Sequence, residues 1–147
     1  MKINFDGAVL ADQGAIRVGI GACDHQGEFY TALSKLIPSL ASGAEYVEYK
    51  AEWEAVHFAM GYWFGTVIFE GDAKDIIIDI QQEKNFFSPY VHLAEDIYRQ
   101  CKQLLTWKFK AVRRQGNVAH RLACSAQESS NDNGYMVWIE DPPSFLQ

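Results

Sequence analysis

Lys2-Ile3-Asn4-Phe5-Asp6-Gly7-Ala8 opens the chain with apolar and polar residues in alternation, and an aspartate arrives where the run meets a glycine. Alternation is the mark of a half-buried strand, so the stretch predicts a strand near 2–9 that presents a carboxylate at its end. Antiparallel partners follow closely. Ile16, Val18, Ile20 and Ala22 alternate with Arg17, Gly19 and Gly21, which predicts a strand near 15–23. Asp24-His25-Gln26-Gly27 has hairpin chemistry, with Gly27 for the left-handed position, and a third strand is expected at 28–36. Three strands on short connections make a meander.

The pattern then changes period. Ser42-Gly43-Ala44-Glu45 reads as a capping box, and Val47, Ala51, Ala55, Phe58, Ala59 and Tyr62 recur at helical spacing, predicting a long helix over about 43–63. Val67-Ile68-Phe69-Glu70-Gly71-Asp72 is a short strand that ends, like the first, on an aspartate. A helix between the meander and this strand implies a crossover, so the fourth strand is expected beside the first and parallel to it. Ile76, Ile77 and Ile80 predict a helix at 73–83. Ser88-Pro89 predicts the start of another, with Val91, Ala94, Ile97 and Cys101 on its apolar face. Leu105, Trp107, Phe109 and Ala111 alternate as a fifth strand, and Asn117 can cap a last helix carrying Val118, Ala119, Leu122 and Ala123. The order β-β-β-α-β-α-α-β-α packs most economically as an α/β domain, a five-stranded mixed sheet with helices on both faces. Residues 1–127 form that domain; 128–147 are a polar linker and an apolar tail with Trp138, Ile139, Pro142, Pro143 and Phe145, which either straps back onto the domain or docks a partner.

Composition narrows the function classes. The 147 residues suit one domain, and 48% hydrophobic with 22% charged residues is ordinary for a globular protein. Cys23, Cys101 and Cys124 are far apart and odd in number, so neither a disulfide framework nor a zinc spacing follows, and a reducing intracellular compartment, nuclear or cytoplasmic, is expected. No apolar run predicts a membrane span or signal peptide. Met1 lies directly against the first strand, which suits a domain cut from a larger polypeptide. A net charge of −6 argues against a generic nucleic-acid binder. Yet Arg99, Lys102, Lys108, Lys110, Arg113, Arg114 and Arg121 fall in a stretch with no acidic residue. They form either a cationic patch on an acidic body or ordinary surface charge.

The candidate chemistry lies in the carboxylates. If the first and fourth strands are parallel neighbours, Asp6 and Asp72 share one edge of the sheet, where ligand sites in such sheets collect. Each has a plain alternative, a turn-forming Asp before Gly for Asp6 and a helix cap for Asp72. Glu45 belongs to the capping box. Glu48 flanks the buried stripe of the helix and can reach over the sheet edge; Glu52 is one turn further on the same face, and Glu54 points elsewhere as a solvated or salt-bridged residue. Carboxylates gathered this closely repel unless a cation joins them. Mg²⁺ or Mn²⁺ suits an all-oxygen site, and two such ions can serve phosphodiester cleavage.

Several motifs, in this order and at this spacing, resemble the ribonuclease H family in its plant retroelement-type form. They are Asn4-Phe-Asp-Gly-Ala8, Asp24-His-Gln-Gly-Glu28, Glu48-Tyr-Lys-Ala51-Glu-Trp-Glu54-Ala55, Val67-Ile-Phe-Glu-Gly-Asp72, Val112 to Ala123 and the tail Trp138-Ile-Glu-Asp-Pro-Pro143. The resemblance implies a ribonuclease H-like fold and a metal-dependent endonuclease that cuts the RNA strand of an RNA–DNA hybrid by a two-metal mechanism, leaving a 3′-hydroxyl. It implies metal ligation and catalysis by Asp6, Glu48 and Asp72, with the fourth place at His120, and its spacing favours Glu48 over Glu52. It suggests substrate contacts by the main chain at Gly7 and Ala8 and by Arg113, Arg114 and Asn117. His120 stands where many members carry Asp, and it is open to the plainer role of a helix-start residue pairing with a carboxylate. The 112–117 loop has no His, and the basic helical handle of some members is absent. These departures leave room for a second expectation: a domesticated module, weak or inactive as an enzyme, that binds nucleic acid, a protein partner or its parent polypeptide.

Overall fold

A computed structural model describes residues 1–41, 43–77, 89–113, 118–124 and 134–146. Ser42 and Ser88, residues 78–83 of the expected second helix, Arg114, Asn117 and most of the polar linker lie outside the described residues, and the helix at 44–61 is capped by Gly43 rather than by the expected Ser42. The elements are β1 (Lys2–Leu10), β2 (Ala15–Cys23), β3 (Phe29–Pro38), α1 (Ala44–Gly61), β4 (Thr66–Gly71), α2 (Val91–Cys101), β5 (Thr106–Ala111), α3 (Val118–Cys124) and β6 (Tyr135–Ile139). Residues 74–77 are helical after β4. Helix α2 begins at Val91 with Tyr90 as its cap, so Pro89 stands before the helix rather than at its first position.

One mixed sheet of six strands runs β5-β4-β1-β2-β3-β6. The meander pairs antiparallel, and β4 joins β1 in parallel as the crossover requires, with β5 parallel beyond it. The sixth strand corrects the expected five. It comes from the tail, which pairs antiparallel with β3 from Thr31↔Ile139 to Lys35↔Tyr135. The Thr31 hydroxyl donates to the Trp138 carbonyl at 2.8 Å, and the Leu36 amide to that of Gly134 at 2.6 Å. The tail is thus an intramolecular strap. Met136 and Trp138 are half-buried and Val137 and Ile139 exposed, so apolar residues stand on both faces of this outer strand.

The two faces of the sheet differ. Ile3 and Phe5, Val18 and Ile20, Phe69 and Phe109 belong to a core packed with Tyr49, Ala51, Ala55 and Ala59 of α1 and Ala94 and Ile97 of α2. Each large side chain buried there contributes roughly 1.5–3 kcal/mol. The opposite face of β1 and β2 carries α3. There Gly19 is required by close approach, since a Cβ on it would stand 2.2 Å from the Ala119 carbonyl oxygen. Gly7 does the same for the other layer, where a Cβ would lie 2.4 Å from Val47 Cγ1. These two glycines, Gly7 on β1 and Gly19 on β2, let one helix on each side press against the sheet, and Asp6 lies beside both, next to Gly7 in the chain and opposite Gly19 across the pair. The basic stretch is divided by this arrangement. Arg99 pairs with Asp96 and Lys102 stacks over Tyr98 on α2, whereas Lys108 and Lys110 lie exposed on β5, in register with Ile68 and Glu70.

Candidate metal centre

Asp6 is in the middle of β1, not at its end. What ends there is the pairing with β4, which runs only from Lys2↔Ile68 to Asn4↔Glu70. Beyond that point the strands part. Asn4 Nδ2 donates to Glu70 Oε2 at 2.7 Å, bracing the last paired rung just before the split. Asp6 is two residues past the rung on one strand, and Asp72 two residues past it on the other. Helix α1 lies against Gly7 through Val47, so the next residue, Glu48, comes to the same gap.

The three carboxylates converge. One oxygen each from Asp6, Glu48 and Asp72 lies within 4.8 Å of the others. Asp6 is 1% exposed, and Glu48 and Asp72 are half-buried. Burial, with the Asp72 charge adding to it, raises the Asp6 pKa above the ordinary 3.8; the bonds from His120 and the Gly7 amide act the other way. A buried anion held beside two more acids is the electrostatic condition that a hard cation relieves.

His120 enters through Asp6. Its Nδ1 is 2.6 Å from Asp6 Oδ2, while the Gly7 amide donates to Oδ1 at 2.9 Å. An ionised carboxylate only accepts, so Nδ1 donates this hydrogen bond. The plainer of the two sequence expectations, a histidine paired with a carboxylate, describes this contact. The last turn of the same helix brings Cys124, whose Sγ is 3.8 Å from both ring nitrogens. Sequence reading weighed Cys124 only for a disulfide framework or a zinc spacing; its four-residue spacing from His120 was the available signal for this contact.

The other acids sort by geometry. Glu52 stays outside the cluster; it is fully buried, and neither carboxyl oxygen has a hydrogen-bond partner among the described residues. Burial, reinforced by the Glu48 charge, holds its pKa well above the ordinary 4.5. Glu54 is salt-bridged as expected but buried rather than solvated, 2.9 Å from Lys35 Nζ and 3.4 Å from Lys50 Nζ. Of the expected substrate contacts, Gly7 and Ala8 are half-buried beside Asp6, and Arg113 is exposed just past β5.

The fold has counterparts among solved structures. Ribonuclease H1 of the archaeon Halobacterium salinarum superposes with a TM-score of 0.73 at 19% identity, covering 83% of this chain and 92% of that one. The N-terminal ribonuclease H domain of a Mycobacterium tuberculosis protein gives 0.72 at 17%, with 85% and 92% covered. LC11 ribonuclease H1, isolated from compost and solved in complex with an RNA/DNA hybrid, gives 0.72 at 18%, with 85% and 94% covered. The fold is the ribonuclease H fold. The family model for reverse transcriptase-like proteins matches residues 4–126, and the chain belongs to that ribonuclease H-like family. A search of curated proteins gives no match.

Proposed function

We propose that this chain is a ribonuclease H-type endonuclease that uses Mg²⁺ or Mn²⁺ to cleave the RNA strand of RNA–DNA hybrids. The observation that carries the reading is the convergence of Asp6, Glu48 and Asp72 within 4.8 Å at the split between two parallel strands. Oxygen donors alone, at this spacing and with this burial, fit a hard divalent ion. Asp6, Glu48 and Asp72 would hold it, and His120 would fix the Asp6 rotamer from behind. Bound divalent ions would supply an activated water and charge stabilisation at the leaving oxygen, the product being a 3′-hydroxyl.

The chain's own residues do the rest. The Gly7 amide and His120 orient Asp6 so that its remaining lone pairs face the gap. Main chain at Gly7 and Ala8 offers contacts to 2′-hydroxyls, by which hybrids are distinguished from DNA. Arg113, with Arg114 and Asn117 close after it in the sequence, would take phosphates. The hybrid bound to LC11 ribonuclease H1 supports nucleic acid as the ligand class. The motifs quoted from the sequence support the plant retroelement type within the family, and an intracellular setting, nuclear or cytoplasmic, belongs to the same proposal.

One observation favours a second reading, a weak or inactive module that binds nucleic acid or a protein. The fourth position offers an imidazole whose Nδ1 is committed to Asp6, where a carboxylate would add a further oxygen. Incubation of the full chain with end-labelled hybrid, RNA duplex and DNA duplex, in Mn²⁺ at low salt, separates the two. Low salt keeps phosphate contacts unscreened. The nuclease reading expects fragments from the RNA strand of the hybrid alone. An intact hybrid that is nevertheless bound would leave the module.

A further inference from the structure

We propose that the α3-side face of β1, β4 and β5 holds the backbone of a single nucleic-acid strand that continues unpaired beyond the metal centre; the choice of nucleic acid rests on the nuclease reading. Ile3, Phe5, Phe69 and Phe109 point into the core with α1 and α2. Side chains alternate along a strand, so Lys2, Asn4, Ile68, Glu70, Lys108 and Lys110 stand on the opposite face. Register sets them in rows. Lys2, Ile68 and Lys108 make one row, Asn4, Glu70 and Lys110 the next, and Asp6 and Asp72 come two residues further on. Behind the first row the exposed hydroxyls of Thr66 and Thr106 bond to each other at 3.0 Å. Helix α3 packs on β1, β2 and β3, which leaves Lys108 and Lys110 exposed and Lys2 half-buried.

Charge and dimensions choose the occupant. Among the described residues no ion pair engages Lys2, Lys108 or Lys110. Glu70, the acid in these two rows, is 9% exposed and already holds Asn4 Nδ2 at 2.7 Å. A chain of net charge −6 therefore gathers three uncompensated cations on one face, which suits a polyanion. The face is two strand spacings wide, about 10 Å, enough for one backbone rather than a duplex. Lys108 and Lys110 are about 7 Å apart along β5, and the level of Asp72 is about 7 Å beyond Lys110. Such steps match the phosphates of an extended strand. Arg113, exposed just past β5, continues the line. None of these residues is aromatic, so the bases meet no stacking platform and the contacts are to the backbone, independent of sequence.

Fluorescence anisotropy of the full-length chain in EDTA tests this. The probes are a blunt RNA–DNA hybrid and the same hybrid with an unpaired extension of about eight nucleotides on either strand at either end. An extension at the end that meets this face should tighten wild-type binding by roughly tenfold. Lys108→Ala with Lys110→Ala should abolish that gain and lower the salt slope by about 1.4. Arginine at both positions should keep it. Arg99→Ala with Lys102→Ala removes the same charge at α2 and should keep it too. No gain from any extension overturns the proposal, as does an equal loss in the two alanine pairs, which would mean bulk charge. Unchanged binding with self-association of the Lys108/Lys110 pair also overturns it, since the lysines would then only guard an edge strand. Cleavage of the blunt hybrid in Mn²⁺ reads the nuclease assignment separately. Cleavage without a gain leaves the nuclease and removes this face; a gain without cleavage does the reverse.

Discussion

Asp72→Asn is expected to lower metal-dependent cleavage of an RNA–DNA hybrid by about a thousandfold while the fold survives. A ligating carboxylate supplies transition-state charge stabilisation worth several kcal/mol through its ion, and about 4 kcal/mol corresponds to three powers of ten. Asn has the shape of Asp, and position 72 is only half-buried, so packing changes little. The apo protein also loses a repulsion, since the Asp72 charge is one of the causes that raise the Asp6 pKa. Urea unfolding should therefore show stability unchanged or slightly higher, whereas single-turnover cleavage collapses. Equal rates in the two proteins would remove Asp72 from the site.

Glu52→Met is expected to stabilise the protein and leave cleavage intact. A carboxyl group sealed in the core with neither oxygen hydrogen-bonded to the described residues is costly, and a thioether of similar length fills the same space without that penalty. The gain should be about 1–4 kcal/mol at neutral pH, which raises Tm by roughly 3 °C per kcal/mol in a chain of this size. Its pH dependence has a definite sign. The folded-state pKa of Glu52 lies well above 4.5, so the unfolded chain ionises first as pH rises. The wild type therefore loses stability as pH climbs through 4.5 and levels off above the raised value. The advantage of Glu52→Met should be smallest near pH 4 and largest at neutral pH in thermal melts. Retained cleavage would also separate Glu52 from Glu48, its neighbour one turn away. A variant less stable at pH 7 than at pH 4, relative to wild type, would contradict the assigned burial cost.

Much of this was legible in the chain because one face of each central element is buried. The alternation from Lys2 to Val9 and from Ile16 to Ala22 gave β1 and β2, and the change to helical spacing at Val47 gave α1 and the crossover that sets β4 parallel to β1. The convergence of Asp6, Glu48 and Asp72 followed from that topology together with the resemblance. The sixth strand was not legible, because Tyr135-Met-Val-Trp-Ile139 pairs at the sheet margin and shows no two-residue period. Nor was the position of Asp6 within its strand, since a sequence cannot show that β4 leaves β1 after Asn4 while β2 stays paired. The salt bridge of Glu54 was among the expected alternatives, and its Lys50 partner stands four residues away on the same helix; its burial was not legible, because it depends on Lys35 reaching over from β3. The pairing of His120 with Asp6 joins residues 114 positions apart and depends on how closely α3 presses onto Gly19.

Anomalous diffraction from a crystal soaked in Mn²⁺ tests the central claim most directly. The account predicts a peak in the gap between β1 and β4, within bonding distance of carboxylate oxygens from Asp6, Glu48 and Asp72. Density that places Mn²⁺ elsewhere and leaves this gap to water would contradict it.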